Sequence, residues 1–342
     1  MLSIREISER VGVSIATVSR ALDARYSGKV RASTRSRILA LCDEENFRPS
    51  VTGRSFVTGK TYKIGLIFGS ITVDLGNPLG GLFIRGVCSE LQHFNYAPVI
   101  LHATEARGLE TSISDFLRSN VADAYIIGSS MITEQISDAI CQCGRPVVAT
   151  DSMQFDMSQI SVISRDSVPA YRDAWLRIPE DWRNATAFIA HAAATSQNKL
   201  KTICAAAPNA EKPAFIPLDF PFAEFCFDRH SARVAAEKCL KELSSYRLLW
   251  CGSDLTALGI ADAFRAAGII PGRDIFLVGH DNIEGIATFT GAPFLSTIDI
   301  HWEEWGRLAA KIALEQIEER NPKRINLPST YIPRQSFPDS LP

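Results

Sequence analysis

The chain lacks most of the signatures that mark enzymes, metal proteins and membrane proteins. Its six histidines form no H-x-x-x-H pair, and neither a G-x-S-x-G nor a G-x-G-x-x-G motif occurs. The eight cysteines show no paired zinc spacing. The N-terminus has no signal-peptide apolar region, and no apolar run is long enough to span a bilayer. We therefore expect a cytoplasmic protein without catalytic site, metal or cofactor.

Charge is unevenly distributed along the 342 residues, although the whole chain carries a net charge of only −2. Residues 1–60 contain 11 Lys and Arg against 6 Asp and Glu, a net charge of +5, which leaves −7 for the remainder. Clustered cations attract the phosphates of nucleic acids. The asymmetry predicts a small basic head that meets DNA and a larger acidic body, with a chance surface fluctuation as the alternative.

Residues 3–22 have the pattern of two short helices joined by a tight turn. The spacing of Ser3 and Glu6 predicts a capping box, and Gly12 can adopt the positive φ that the turn requires. Ser14 is placed to cap the second helix. The side chains that point outward from this helix are small, hydroxylated or cationic and suit the major groove: Ile15, Ala16, Thr17, Ser19 and Arg20. With Ser14 they form the predicted DNA-reading surface, and an ordinary surface helix is the alternative.

A third amphipathic segment at about 33–45 completes a head of three short helices. The stretches LSIREISERVGVSIATVSRAL and STRSRILALCDEENFRPS resemble the headpiece of the LacI/GalR family of bacterial repressors. The resemblance implies a homodimer that binds a palindromic operator and changes its affinity when a small metabolite, expected to be a sugar or sugar derivative, binds the larger domain. We expect a helix-turn-helix domain at 1–48, a hinge at 49–61 and a two-lobed effector-binding and dimerisation domain at 62–342.

The segment 49–60 corresponds in the family to a hinge helix that presses a Leu into the minor groove. Arg54 keeps the family's Arg, and Phe56 stands at the position of that Leu. The resemblance therefore adds Arg54 and Phe56 to the expected DNA contacts. Gly53 replaces the usual Ala, which costs about 0.5–1 kcal/mol of helix propensity. Packing of Phe56 against the protein body is the alternative, since an exposed Phe is uncommon.

From residue 62 onward, apolar runs alternate with amphipathic segments, which is typical of a doubly wound parallel sheet in an α/β fold. We predict strands at 62–68, 97–101, 122–128 and 146–150, separated by helices at 79–93, 109–119 and 134–143. The pattern restarts with a strand at about 199–207, and further strands follow near 247–251 and 274–279. Two such lobes resemble the periplasmic-binding-protein plan, in which the ligand lies in the cleft at the carboxyl ends of the strands.

The C-terminal part extends the resemblance. LWCGSD with ALG is similar to the family's C-x-x-D…A-x-G segment, FLVGHDN to V-G-[FY]-D-[DN], and PRQS to the usual end of the core. No heptad repeat follows, which favours a dimer over a tetramer. Carried over from the family, effector contacts are expected at Asp281, Asp151 and Phe227, and at Asn77 in the N-P pair before the first lobe helix. An Asp at a strand end is also common as a turn cap, which is the alternative.

One stretch departs from the family pattern. Relatives carry a second-lobe helix that begins with R-x-x-G-[FY], whose Arg is a main ligand contact. In the sequence after Pro208 no such helix is recognisable, so we expect the helix to be absent and the Arg to have no counterpart. The cleft then either binds an unusual ligand or lacks this part of the site. Two other classes share parts of this pattern: a solute-binding receptor, which needs an export signal and no basic head, and an enzyme, which needs a catalytic motif.

Overall fold

The computed structural model describes residues 3–22, 28–47, 55, 58–68, 78–103, 108–128, 131–151, 158–191, 194–208, 212–218, 229–287 and 292–338. The chain separates into two compact units, Met1–Tyr62 and Lys63–Pro342. None of the described helices combines the length and the hydropathy that crossing a membrane requires. The described residues also contain no group of three or more His, Cys, Asp and Glu that could hold a metal ion.

The N-terminal unit contains three helices, α1 Ile4–Val11, α2 Ile15–Leu22 and α3 Ala32–Glu44. Helix α1 begins with the predicted capping box, in which Glu6 N donates to Ser3 Oγ at 3.3 Å and Ser3 N donates to Glu6 Oε2 at 2.7 Å. The helix ends at Gly12, whose φ is 72°. Both predicted ends of α1 are confirmed. The caps stabilise the helix because they provide partners for backbone groups that the terminal turns leave unpaired.

This unit has a hydrophobic core of its own. Each helix contributes one fully buried residue at its centre: Ile7, Val18 and Ile38. Two arginines of α3 brace the other helices, since Arg35 Nε donates to Ala21 O at 3.2 Å and Arg37 Nη2 donates to Val11 O at 3.1 Å. Both carbonyls lie in the last turns of α2 and α1, where a cation is also favoured by the helix dipole. Packing and these contacts together fix the orientation of α2.

The second unit contains two lobes, each built around one six-stranded sheet. The strands of lobe 1 are β1 Lys63–Phe68, β2 Ala97–His102, β3 Ala124–Gly128, β4 Val147–Thr150, β5 Ser161–Asp166 and β11 Arg324–Pro328. Its helices are α4 Pro78–Leu91, followed by a 3₁₀ turn at Gln92–Phe94, α5 Leu109–Arg118, α6 Glu134–Gln142 and α13 Trp302–Glu319. The strand order is β11-β5-β4-β3-β1-β2, and all pairings are parallel. Helices on both faces of this sheet explain why its central strands are continuous apolar runs.

Lobe 2 repeats this plan. Its strands are β6 Thr186–Ala190, β7 Ala214–Pro217, β8 Leu248–Cys251, β9 Phe276–His280, β10 Ser296–Asp299 and β12 Thr330–Ile332. Its helices are α7 Val168–Leu176, a 3₁₀ helix at Glu180–Ala185, α8 Ala194–Ala206, α9 Arg229–Lys238, α10 Leu240–Leu243, α11 Asp254–Ala266 and α12 Glu284–Ala287. The order is β12-β10-β9-β8-β6-β7, in which β12 alone pairs antiparallel among the described strands. The predicted pair of doubly wound lobes is thus confirmed.

The first strand of lobe 2 lies earlier in the chain than predicted. It is β6, whereas the segment 199–207, where we predicted a strand, belongs mostly to helix α8. Leu200, Ile203 and Ala206 face the core at intervals of three residues, the spacing of one helix face. Ala and Lys, both good helix formers, supply much of the rest. The predicted strand at 199–207 is therefore wrong. The expectation of a missing helix concerned the stretch after Pro208, where the structure describes strand β7, while 209–211 and 219–228 lie outside the described residues.

Three crossovers connect the lobes, between β5 and α7, between β10 and α13, and between β11 and β12. Two of them are bonded directly, because Ser167 Oγ lies 2.7 Å from Ser329 Oγ and Ser329 N donates to Asp166 O at 2.9 Å. His301 of another crossover has a φ of 55°, and its Nε2 lies 2.9 Å from Thr330 Oγ1. The bonded crossovers form a compact hinge of the kind about which two lobes close.

Helices α4 and α13 of lobe 1 approach each other closely at two glycines. A Cβ at Gly86 would lie 1.9 Å from Glu303 O, and one at Gly306 would lie 2.0 Å from Phe83 O. Any side chain at these positions would push the helices apart. The contact holds the first turns of α13 against the lobe, and these turns carry two tryptophans of the cleft described below.

Candidate DNA-reading surface and effector cleft

Helix α2 presents an exposed surface opposite its buried side. Val18 and Ala21 are fully buried, and Leu22 packs partly against the same core. The opposite side carries the six predicted DNA-reading residues, of which Thr17 is half-buried and the others are exposed: Ser14, Ile15, Ala16, Thr17, Ser19 and Arg20. Ile15 is 52% exposed, a large value for an aliphatic side chain. The outward orientation is confirmed, and contact with DNA stays a prediction.

The polar side chains of the head differ in whether they have partners within it. Ser14 caps α2 as predicted, since Thr17 N donates to its Oγ at 3.2 Å. The Arg10 guanidinium is engaged by Glu45 at 2.6 Å, within the head itself. Arg20 is exposed, and no other described residue forms a hydrogen bond or ion pair with it. Its guanidinium is therefore positioned for an external acceptor, either a base edge or a phosphate.

Asp281 lies in lobe 2 immediately after strand β9, at the carboxyl edge of the sheet. Its φ of 108° is rare for a residue with a side chain, and such strain concentrates at functional sites. The side chain is almost completely buried, and burial raises the pKa of its carboxyl group. The positive charges of Lys199 and Arg165 act in the opposite direction. The ionisation of Asp281 is therefore tied to these two cations.

Two further ionisable side chains are buried in lobe 2. Asp254 Oδ2 accepts a hydrogen bond from Ile283 N at 2.7 Å, and its Oδ1 accepts one from Thr297 Oγ1 at 2.6 Å. Burial raises the pKa of Asp254 to about 7. His280 Nδ1 lies 2.9 Å from the Tyr171 hydroxyl, and burial lowers the pKa of His280 well below its usual value. The imidazole is therefore neutral, and both groups hold the edge of β9 rather than face solvent.

The lobe 1 side of the cleft contains an ion pair. Asp151 follows strand β4 with a φ of 83°, and its N donates to Ile163 O at 2.8 Å. Its carboxylate pairs with the guanidinium of Arg165, the penultimate residue of β5. That guanidinium lies 5.5 Å from the ring centroid of Trp302 and 4.7 Å from that of Trp305. Cation–π contacts of this kind hold the arginine in a defined position.

Lys199 supplies a cation from lobe 2. It lies on α8, and its Nζ donates to Gly252 O, just after strand β8, at 2.6 Å. Burial lowers the pKa of its ammonium group, and the negative charge of Asp281 opposes this effect. The letters KLKTI from Lys199 to Ile203 place a cation and an apolar residue at the spacing of the R-x-x-G-[FY] pattern. The expectation that the family's Arg is missing stays a prediction, and Lys199 is the residue of α8 that stands at this spacing.

The two predicted cleft aspartates belong to one electrostatic cluster. Asp281 and Asp151 both act on the pKa of Lys199, and Arg165 acts on it as well. Four other predicted site residues lie outside the described residues: Asn77, Phe227, Arg54 and Phe56. Sequence reasoning missed Lys199 and Arg165, because a single cation within a strand or helix forms no motif. The one available signal was the spacing from Lys199 to Ile203.

Comparison with known families accounts for both units. The family described as "Bacterial regulatory proteins, lacI family" matches residues 3–50, which include all three helices of the head. The "Periplasmic binding protein-like domain" family matches residues 218–337. The chain therefore carries a LacI-type DNA-binding domain and a periplasmic-binding-protein-like domain. It is 24% identical to the ribose operon repressor of Haemophilus influenzae over 345 residues, which cover 98% of the chain and 99% of that relative.

Solved structures agree with this assignment at the level of the fold. The lac repressor dimer bound to operator and the anti-inducer ONPF gives a TM-score of 0.74 at 18% identity, covering 98% of each chain. A LacI-family regulator from Enterococcus faecium with bound ribose gives a TM-score of 0.64 at 19% identity, covering 81% of this chain and 99% of that one. The chain therefore shares the fold of these proteins, a helix-turn-helix head and a bilobed body.

Proposed function

We propose that the chain is a transcriptional repressor that binds a palindromic operator as a homodimer in the cytoplasm and changes its affinity when a sugar or sugar derivative enters the cleft. One observation carries this proposal: a helix-turn-helix head with an exposed reading helix is joined to a bilobed body with a charged cleft. A solute-binding receptor would have the second feature without the first. The similar structures include a repressor dimer on its operator and a regulator with bound ribose.

Recognition of DNA is assigned to α2 and to the hinge segment. Ile15 and Ala16 offer only apolar contact, which suits the methyl group of thymine, and Arg20 offers a bidentate pair for guanine. The family resemblance assigns Arg54 and Phe56 to the minor groove, where an apolar wedge unstacks a base step and bends the duplex. Two copies of the head in a homodimer would read the two halves of a palindrome.

Recognition of the effector is assigned to the cleft. Asp281 and Asp151 accept hydrogen bonds and suit the hydroxyl groups of a sugar. The resemblance adds Asn77 and Phe227 as further contacts. Since the aspartates follow strands of different lobes, a ligand that binds both favours the closed arrangement of the lobes. A ligand can shift the affinity for DNA only through such a difference between two states of the body.

The test begins with selection of DNA by the full chain from a random duplex library, which should yield a palindrome. Fluorescence anisotropy then measures operator affinity with and without each member of a panel of sugars and sugar derivatives. At least one compound should change the affinity about 5- to 150-fold. The Asp281→Asn variant should bind operator normally and lose this response, whereas Asp138→Asn, at an exposed position on α6, should keep it.

Two results would contradict the proposal. One is equal affinity for the selected duplex and for a scrambled duplex. The other is a full response in Asp281→Asn, which would remove Asp281 from the effector site. Thermal unfolding of each variant distinguishes loss of the response from loss of the fold.

A further inference from the structure

The turn that carries Asp281 has an unusual backbone. Asp281 and Asn282 follow each other with φ values of 108° and 56°, so two consecutive residues with side chains occupy the left-handed region. Asp281 N donates to Ile298 O at 2.9 Å and Asn282 N donates to Thr297 Oγ1 at 3.3 Å, which ties the turn to β10. A strained backbone persists only where its surroundings hold it. The contacts around this turn therefore determine where the Asp281 carboxylate lies.

The side chain of Asn282 supplies two further contacts. Its Nδ2 donates to Asp299 Oδ2 at 2.9 Å, and its Oδ1 accepts a hydrogen bond from Arg334 Nη2 at 2.6 Å. The amide thus lies between an anion and a cation, and each end of it faces the charge that suits its polarity. Hydrogen bonds to charged groups are about twice as strong as those between neutral groups. The Asn282 side chain is therefore the strongest described anchor of the turn.

Both partners of Asn282 are themselves fixed. Asp299 is the last residue of β10, and its Oδ1 accepts a hydrogen bond from His301 N at 2.7 Å. Arg334 Nη1 donates to Leu295 O at 2.8 Å. All of these side chains are half-buried, so water competes with their hydrogen bonds less than it would at an exposed site.

The Asp299 carboxylate also reaches the hinge. Its Oδ2, which accepts from Asn282, lies 3.3 Å from His301 Nδ1. His301 belongs to the crossover between β10 and α13, and its Nε2 lies 2.9 Å from the hydroxyl oxygen of Thr330, at the crossover between β11 and β12. One carboxylate thus connects the turn that carries Asp281 to two of the three crossovers between the lobes.

We propose that Asn282 and Asp299 are positioning residues of the effector site: the hydrogen bond between them holds the strained turn and fixes the Asp281 carboxylate with respect to the hinge. Neither residue has to touch the effector for this role. A group that is already in position when a ligand arrives loses little conformational entropy on binding. The inference rests on the proposed function, in which Asp281 accepts hydrogen bonds from the hydroxyl groups of the effector.

Exchange of the two side chains tests the bond itself. In Asn282→Asp two carboxylates face each other, and in Asp299→Asn a single amide oxygen has to serve two donors, the Asn282 amide and His301 N. The double variant combines Asn282→Asp with Asp299→Asn. Its amide at position 299 can accept from His301 N and donate to the new carboxylate at position 282, which also suits Arg334. The bond is therefore lost in each single variant and formed again in the double variant.

Isothermal titration calorimetry on the full chain at pH 8 measures the affinity for ribose, glucose, galactose and cellobiose. For the sugar that binds the unsubstituted chain most tightly, Asn282→Asp and Asp299→Asn should each lower the affinity about 10- to 100-fold. The double variant should regain most of this loss. A role confined to capping the start of α13 through His301 N would leave Asn282→Asp without effect, because that bond does not involve Asn282.

Substitution by glycine separates the side chain from the strain of the backbone. Asn282→Gly removes both side-chain hydrogen bonds, yet glycine adopts positive φ without steric cost, so the turn can still form. Its sugar affinity should also fall about 10- to 100-fold. Asn95→Gly is the matched control, because Asn95 is an exposed asparagine with a φ of 55° after the 3₁₀ turn of lobe 1. Its sugar affinity should not change.

The outcomes separate this inference from the proposed function. Unchanged sugar affinity in Asn282→Asp and Asn282→Gly would overturn the positioning role and leave effector control by a sugar intact. A double variant that binds no better than the single variants would also overturn it, since the two residues would then act separately. If none of the four sugars binds the unsubstituted chain or shifts its operator affinity, the proposed effector control fails and the inference fails with it.

Discussion

Substitution by alanine at two glycines of helix α4 is expected to change the free energy of unfolding in opposite directions. A Cβ at Gly86 would lie 1.9 Å from Glu303 O and 2.8 Å from Arg307 N, both backbone atoms of α13. A Cβ at Gly81 would meet no atom within 4 Å. Gly86→Ala must therefore push α4 and α13 apart by about 1 Å or more, because backbone cannot rotate away as a side chain can. Gly81→Ala requires no movement.

The magnitudes follow from this geometry. Overpacking of a well-packed contact costs about 1–3 kcal/mol, and a backbone-to-backbone collision belongs at the upper end. Replacing a helical glycine by alanine contributes about 0.5–1 kcal/mol of helix propensity in both variants. We therefore expect the free energy of unfolding to fall by about 2 kcal/mol in Gly86→Ala and to rise by up to about 1 kcal/mol in Gly81→Ala.

Urea unfolding followed by circular dichroism measures both values against the unsubstituted chain. Movement of α13 would also displace Trp302 and Trp305, which position Arg165. Gly86→Ala should therefore bind the effector more weakly, while Gly81→Ala should bind it normally. Equal stability of the two variants would refute the assigned helix contact.

Three further predictions concern single side chains. Arg20→Ala should lower affinity for the selected operator by about 1–3 kcal/mol and affinity for random duplex by less; equal losses in gel-shift titrations would mean a phosphate contact. Uracil lacks the methyl group of thymine, so replacing one operator thymine by uracil should weaken binding of the unsubstituted chain. Ile15→Ala should be insensitive to the same replacement, and a loss of affinity that persists in Ile15→Ala would exclude the contact between Ile15 and the methyl group. Asp254 has a pKa of about 7 in the folded state against 3.8 as its ordinary value, so its protonated form is favoured by folding. The free energy of unfolding of the unsubstituted chain, relative to that of Asp254→Asn, should therefore fall by on the order of 4 kcal/mol as pH rises from about 4 to 7. If urea titrations give the same difference between the two chains at both pH values, the pKa of Asp254 is not raised by burial.

Local signals predicted most of the architecture. The caps at Ser3, Glu6 and Gly12 act within one turn, so the limits of α1 could be read from neighbouring letters. The first four strands and first three helices of lobe 1 agree with prediction within a few residues, because their apolar runs and amphipathic segments alternate regularly. Strands β5 and β11 and helix α13 of the same lobe were not predicted. Prediction failed at 199–207, where an alanine-rich run with apolar residues three apart is compatible with a strand or a helix. Packing against the sheet of lobe 2 decides between them.

The cleft was predicted only in part, for a topological reason. Asp281 and Asp151 follow strands, and strand ends meet in the cleft of such a fold, so sequence position alone suggested both. Arg165 and Lys199 lie in different lobes, on β5 and on α8. That both contribute charge to the cleft depends on the whole path of the chain, and no short stretch of sequence encodes it.

If the head and the cleft are coupled sites, effector and operator must alter each other's binding by the same factor. Calorimetry can measure the affinity of the most effective sugar for the free chain and for the chain saturated with operator duplex. The ratio of these two affinities should equal the ratio of operator affinities measured with and without that sugar, and both should lie at about 5 to 150. A sugar affinity that is the same with and without operator would contradict control of DNA binding from the cleft.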